Sequence, residues 1–258
     1  MQNKKCRLNN VSDGIFVFSQ PETPNFSILY FSKKNQIIKK YFHTYKNVST
    51  IKILTITLKY GTNHIHIILG SFMSKILVIS AHQDLNQSVS NQLILQELEN
   101  HFGDKISVRR LSDLYPDFKI DVPAEQNALV QADVVLFQYP TFWFNTPAIL
   151  KKWLDDVWLY GFAYGEGGDK LHGKKLLVST STGSPEGVYN GEIVAKIEDL
   201  VKPVKHLALY SGFEWQGVYP LYGALYIAGV HNDEHLAQLQ NNAKAHAKTL
   251  IEKLESLV

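Results

Sequence analysis

The chain has 258 residues and a mass of 29.3 kDa, with 45% hydrophobic and 19% charged residues, a composition that supports a real apolar core and excludes a disordered chain. Cys6 is the only cysteine, which excludes an internal disulfide framework and a thiolate metal cluster and favours a reducing, cytoplasmic setting. The charge is divided: residues 1–72 carry ten Lys/Arg against Asp13 and Glu22, a balance of +8, whereas residues 73–258 carry 16 Lys/Arg against 22 Asp/Glu, a balance of −6.

That split places a boundary near Met73. Residues 1–72 are rich in Asn, Lys, Ser, Ile, Tyr and Phe, with weak alternation in SILYF and TIKILTITL and no sustained helical period. Three readings stay open for them: an extension upstream of the fold created by an early start codon, a basic arm for anionic lipid or nucleic acid, or a small β subdomain. The nearest approach to a membrane span, residues 51–72, is broken by Lys52, Lys59, His64 and His66. The amino terminus lacks the order of charge and apolar run that marks a signal peptide.

From Met73 the pattern alternates. A strand is expected over 75–81, then a loop, SAHQDLNQSVSN, and a helix over 90–102 with Leu93, Leu95, Leu98 and Phe102 on its buried face. Ser88, Ser90 and Asn91 at the mouth of that helix offer hydroxyls, an amide and free backbone N–H groups to a phosphate, and His82 adds a donor. The bland alternative is that Ser88 or Ser90 only caps the helix. The loop has no glycine, so it is not the G-x-G-x-x-G fingerprint of a dinucleotide site.

A second strand is expected over 106–111, a short helix after Pro123, and a third strand over 134–139, whose Val134, Val135, Leu136 and Phe137 read as buried on both faces. The aromatic loop Pro140, Thr141, Phe142, Trp143, Phe144 follows, and Thr146-Pro147 suggests a hydroxyl N-cap and a proline at the first position of a helix over 147–159. A Trp-Phe pair beside a helix is more often core than cofactor site, but its place at a strand's carboxyl end favours a wall for a flat ligand. Asp155 and Asp156 read as partners of Lys151 or Lys152 on a solvated face. A fourth strand over 175–180 leads to Ser181, Thr182, Gly183, Ser184 and onward to Gly187 and Tyr189. The glycines allow close approach or positive φ, and the tyrosine offers a donor to developing negative charge, although a plain surface turn is the alternative. A helix over 192–200, a strand over 206–213 and a terminal helix over 233–257 complete the set. The expected fold is a flavodoxin-like α/β domain, a doubly wound five-stranded parallel sheet of order 2-1-3-4-5 between helical layers, with its switch point between strands one and three.

The stretch YPTFWFNTPAILKKWLDDVWLYGFAYGEGG, with LYPDFKID and AEQ before it and STGS…Y after it, resembles the flavodoxin-like NAD(P)H:quinone oxidoreductases over residues 74 to about 256. The similarity is greatest to bacterial ancillary proteins of glutathione-gated potassium efflux and general stress proteins, and more distant to DT-diaphorase. The resemblance implies two-electron, ping-pong transfer of hydride from NAD(P)H to a quinone through FMN, with FAD a less favoured cofactor. It implies that His82, Ser88, Ser90 and Asn91 hold the flavin phosphate, residues 140–144 pack on the ring system, residues 181–184 touch its pyrimidine side, and Tyr189 stabilises the reduced form. A histidine that pairs with this tyrosine in the family falls near Ala195 here and is missing; Ser184 stands where many relatives have glycine. The resemblance also implies a homodimer, in keeping with Trp158, Tyr160, Phe162 and Tyr164 crowded into one connection. A second reading is a regulatory flavoprotein at the cytoplasmic face of a potassium antiporter. Nucleic acid is not an expected partner, since the positive charge lies in residues 1–72, and His231, His235 and His246 lack a metal-ligand pattern.

Overall fold

The computed structural model describes residues 76–258 and, upstream, the backbone of four strands: β1 (Ile15–Phe18), β2 (Ser27–Tyr30), β3 (Ile53–Tyr60) and β4 (Asn63–Gly70). The chain divides into two compact units, Met1–Ile51 and Lys52–Val258. β1 pairs antiparallel with β2, and β3 pairs antiparallel with β4. Residues 27–30 of the alternating stretch SILYF lie in β2 and residues 53–58 of TIKILTITL lie in β3. Cys6 and the charge boundary at Met73 lie outside the described residues.

In the second unit β5 (Ile76–Ser80), β6 (Ile106–Arg110), β7 (Val134–Pro140), β8 (Lys175–Ser181) and β9 (Glu214–Leu221) form one parallel sheet of order β6-β5-β7-β8-β9. This is the 2-1-3-4-5 order, with β5 and β7 at the switch point. The helices are α1 (Val89–Phe102), α2 (Leu111–Leu114), α3 (Val122–Gln131), α4 (Ala148–Val157), α5 (Ile197–Tyr210) and α6 (Asp233–Glu255).

The period of two along each strand assigns the two cores. Leu77, Ile79, Val135, Phe137, Leu176 and Val178 face one way and pack with residues of α3, α4 and α5. Ile76, Val78, Val134, Leu136 and Leu177 face the other and pack with α1 and α6. Apolar residues on both faces are what a parallel sheet clothed by helices requires, and each buried aliphatic side chain contributes about 1.5–3 kcal/mol.

Four expectations need correction. Residues 206–213 are the end of α5 and the turn after it, not a strand; the fifth strand begins at Glu214. Ile197, Val201, Val204 and Ala208 give the helix a 4-3-4 buried spacing, while Leu209 and Tyr210 point outward. Pro203 lies inside this helix and forgoes only one ladder bond, to the Asp199 carbonyl. On α1, Ile94 rather than Leu93 is fully buried. Leu111 opens the short α2 instead of ending β6. Pro147 is itself the N-cap of α4, with extended ψ, and Thr146 makes no capping bond to the helix.

Candidate functional site

Three loops leave the carboxyl edge of the sheet beside one another. The first joins β5 to α1. Ser88 caps α1: its Oγ accepts from Asn91 N at 3.2 Å and from Asn91 Nδ2 at 3.1 Å. The capping alternative therefore holds for this hydroxyl. Ser90 Oγ is buried and, among the described residues, has no hydrogen-bond partner, and no acceptor meets the N–H groups of Val89 and Ser90. A helix start with free N–H groups and an orphaned hydroxyl suits an anion. His82 Nδ1 accepts from Asp84 N at 3.1 Å, which leaves Nε2–H as its free donor. Burial holds this imidazole below its ordinary value, so it is neutral at pH 7. Its ring meets Phe142 edge-on at 6.0 Å between centroids.

The second loop joins β7 to α4 and is tightly folded. Phe142 N donates to Asn145 O and Asn145 N to Phe142 O, both at 3.0 Å, which closes a two-residue turn on Trp143 and Phe144. Both central residues have positive φ, +45° and +66°. That sign is what a type I′ turn demands, yet such turns normally carry Asn or Gly; two bulky aromatics there store on the order of 1–3 kcal/mol of strain each. Trp143 is 92% exposed and Phe144 49%. Among the described residues no acceptor meets either N–H. The pair is thus not core packing.

The third loop follows β8. Thr182 N donates to Leu221 O at 2.9 Å, Thr182 Oγ1 donates to Ser184 O at 2.9 Å, Ala224 N to Thr182 O at 2.7 Å and Gly223 N to Ser184 O at 2.9 Å. Gly183 and Gly187 do not take positive φ, so that reason for glycine fails at both. A Cβ on Gly183 would meet only Leu225 Cβ at 3.7 Å. Tyr189 follows a 3₁₀ turn, Glu186–Val188, and packs its ring against Tyr222.

Beneath the loops lies a polar network that the sequence did not disclose. Asn91 Nδ2 donates to Ser181 Oγ at 3.0 Å, and Gln138 Nε2 donates to Asn91 Oδ1 at 2.7 Å. Thr141 N donates to Ser181 O at 2.8 Å, and the hydroxyls of Thr141 and Thr180 meet at 2.8 Å. The Asn91 and Ser181 side chains are therefore spent on each other and tie α1 to β8. Pro140 is buried at the end of β7, opposite Ser181. Gln138 was missed although it is a polar interruption in the apolar run VVLFQYP.

A second buried cluster explains three signature residues. Glu125, fully buried on α3, accepts from Arg109 Nε at 2.9 Å and also from Arg109 Nη2 and Tyr115 OH through Oε1, and from Trp153 Nε1 at 2.9 Å through Oε2. Burial, then Glu125, pushes the Tyr115 phenol up to about 12, so it is a fixed donor. The cluster pins α4, and with it the aromatic turn, to β6 and α3. On the outer face of α4, Lys152 Nζ lies 2.6 Å from Asp156, and Lys151 pairs with Asp155, as the spacing suggested.

A family model for the flavodoxin-like fold matches residues 74–247. The chain belongs to this flavodoxin-like family. It is 40% identical over 156 residues to an uncharacterized NAD(P)H oxidoreductase of Bacillus subtilis, covering 60% of this chain and 88% of that protein. It is 35% identical over 181 residues to a glutathione-regulated potassium-efflux system ancillary protein of an Enterobacter species, covering 70% of this chain and 98% of that protein. Among solved structures, a general stress protein 14 of Treponema denticola in complex with FMN superposes with a TM-score of 0.62 at 28% identity, covering 69% of this chain and 99% of that one. An NADPH-quinone reductase of P. pentosaceus superposes with a TM-score of 0.56 at 25% identity, covering 68% and 96%. The matches thus span nearly the whole of these proteins, and the match to the family starts at residue 74.

Proposed function

We propose that this flavodoxin-like domain, taken as residues 73–258, is an FMN-dependent NAD(P)H:quinone oxidoreductase. The observation that carries the reading is the Trp143-Phe144 turn. Strained aromatic residues, exposed faces and two unmet N–H groups at the carboxyl end of the central strand are costly for a fold and useful to a flat, polar-edged ring. The FMN in the solved relative and the NAD(P)H chemistry in the names of the others support it.

The residues present fit the group. Ser90 Oγ, the Val89 and Ser90 N–H groups and His82 Nε2 suit the phosphate; Ser88 and Asn91 shape that loop from within. The Trp143 and Phe144 N–H groups suit the polar edge of a ring system that lies on the turn beside Phe142. The backbone of residues 182–184 and the Tyr189 hydroxyl suit the pyrimidine end, where donors must meet negative charge. Bound FMN supplies two-electron hydride exchange, with NAD(P)H and quinone using one face in turn. Parallel lines in double-reciprocal plots against the two substrates are expected, and intersecting lines would refute the single face. Identification of FMN released from the purified yellow protein tests the cofactor; a colourless protein that takes up no flavin would overturn the whole reading.

The functional unit in this reading is a homodimer. Trp158 and Phe162 are buried in the domain's own core, so the sticky edge reduces to Tyr160 and Tyr164, 64% and 40% exposed, with Tyr210 nearby. Light scattering should find a dimer at low concentration. The similarity to the potassium-efflux ancillary protein favours a second reading, a regulatory flavoprotein that docks on the cytoplasmic side of such a transporter. Co-purification with a membrane antiporter distinguishes it. Among the described residues no helix is long and apolar enough to cross a membrane.

A further inference from the structure

Tyr222 is a residue that neither the motifs nor the loops at the switch point single out. It follows the last residue of β9, and the bonds from Thr182 N to Leu221 O, from Ala224 N to Thr182 O and from Gly223 N to Ser184 O bracket it on both sides. Adjacent strands β8 and β9 are in register there, Ser181 opposite Leu221. Tyr222 is thus fixed to the same loop that carries Tyr189. The two rings meet at 5.8 Å between centroids with a 41° tilt, and both lie against the core on the α3, α4 and α5 side of the sheet. Gly187, two positions before Tyr189, has open space where a Cβ would stand, and Ala195 is exposed and offers no hydrogen-bonding side chain.

We propose that Tyr222 is the positioning residue for Tyr189: its ring is the buttress that holds the Tyr189 ring, and so aims the Tyr189 hydroxyl at the pyrimidine end of the site. This rests on the proposed role of Tyr189. An aromatic pair of this geometry adds to the stabilisation that its buried area gives and so favours one rotamer of a half-buried ring. Burial, with Glu198, Glu186 and Tyr189 around it, pushes the Tyr222 phenol above its ordinary value, so it stays neutral and adds no charge of its own beside Tyr189.

The test uses the full chain and four variants: Tyr189→Phe, Tyr222→Phe, Tyr222→Leu and the double variant Tyr189→Phe/Tyr222→Leu. Without flavin, 3-fluorotyrosine labelling identifies the Tyr189 signal as the one lost in Tyr189→Phe. That signal should shift and sharpen in Tyr222→Leu and stay near its place in Tyr222→Phe. With FMN bound, Tyr222→Leu should slow flavin reduction by NAD(P)H about fivefold, with FMN affinity changed less than twofold. In the Tyr189→Phe background the same substitution should change the rate by less than twofold, because a buttress has nothing left to aim. Equal losses in both backgrounds, or an unmoved fluorine signal, would overturn the inference. If Tyr189→Phe itself leaves the rate unchanged in a flavin-loaded protein, the role of Tyr189 fails and the inference goes with it.

Discussion

Replacing Glu125 by Ala removes the one carboxylate under Arg109, Tyr115 and Trp153. Oε1 accepts from Arg109 and Tyr115, Oε2 accepts from the Trp153 indole, and the carboxylate has no exposed surface. The variant therefore strands a guanidinium, a phenol and an indole N–H in or near the core. Two buried donors left without their acceptor, at about 1–3 kcal/mol each, and a guanidinium left unpaired but 25% exposed give about 3–5 kcal/mol in all. For a domain of this size that corresponds to a fall in Tm of roughly 10 °C or more. Glu125→Gln keeps one acceptor oxygen and puts an NH2 donor in place of the other, so it should lose about half as much. Urea unfolding followed by far-UV circular dichroism measures both. A loss under about 1 kcal/mol for Glu125→Ala would mean that the cluster is not the clamp on α4 described above.

His246 on α6 is buried, its Nε2 lies 2.8 Å from Ser179 Oγ, and burial lowers its pKa from 6.5 to about 4. The unfolded chain gains a proton below pH 6.5 and the folded one only near 4, so stability is full above 6.5 and falls by up to about 3 kcal/mol as pH drops to 4. His246→Gln should flatten that slope in unfolding curves between pH 7 and 4, and an unchanged slope would locate the effect elsewhere. Trp143→Asn places at positive φ a residue that tolerates it, so it should leave stability equal or higher by about 1 kcal/mol while weakening FMN at least tenfold in fluorescence titration. A stability loss above about 1 kcal/mol would contradict the strain. Ser90→Ala removes a buried hydroxyl that has no partner among the described residues and should cost the fold nothing, yet lower FMN affinity severalfold; unchanged affinity would separate Ser90 from the phosphate.

The sheet order was legible because hydrophobic runs and helical spacing specify a parallel α/β layout with few alternatives. α5 was not, because Pro203 reads as a stop, and Leu207, Leu209 and Tyr210 fit a strand as well as a helix. The three candidate loops could be placed at one sheet edge, since they end strands, but the hydrogen-bond partners of their side chains could not. Asn91 and Ser181 look like ligand groups in sequence and turn toward each other in the fold, 90 positions apart. Nothing local announces that pairing, or the meeting of Glu125 with Arg109 and Trp153. The strain at Trp143 and Phe144 was equally hidden, because residue type predicts the opposite sign of φ.

The bonds among the three loops bear on the pace of the reaction. Thr141 is joined to Thr180 and Ser181, Asn91 to Ser181, and residues 182–184 to 221–224. Walls already fastened to each other lose little entropy when a ligand arrives and do not shut over it. If the proposed function holds, such a site would exchange one flat molecule for another through an opening of constant shape. Discrimination would then fall to breadth and thickness, and turnover would be set by arrival, transfer and departure rather than by the swing of a gate.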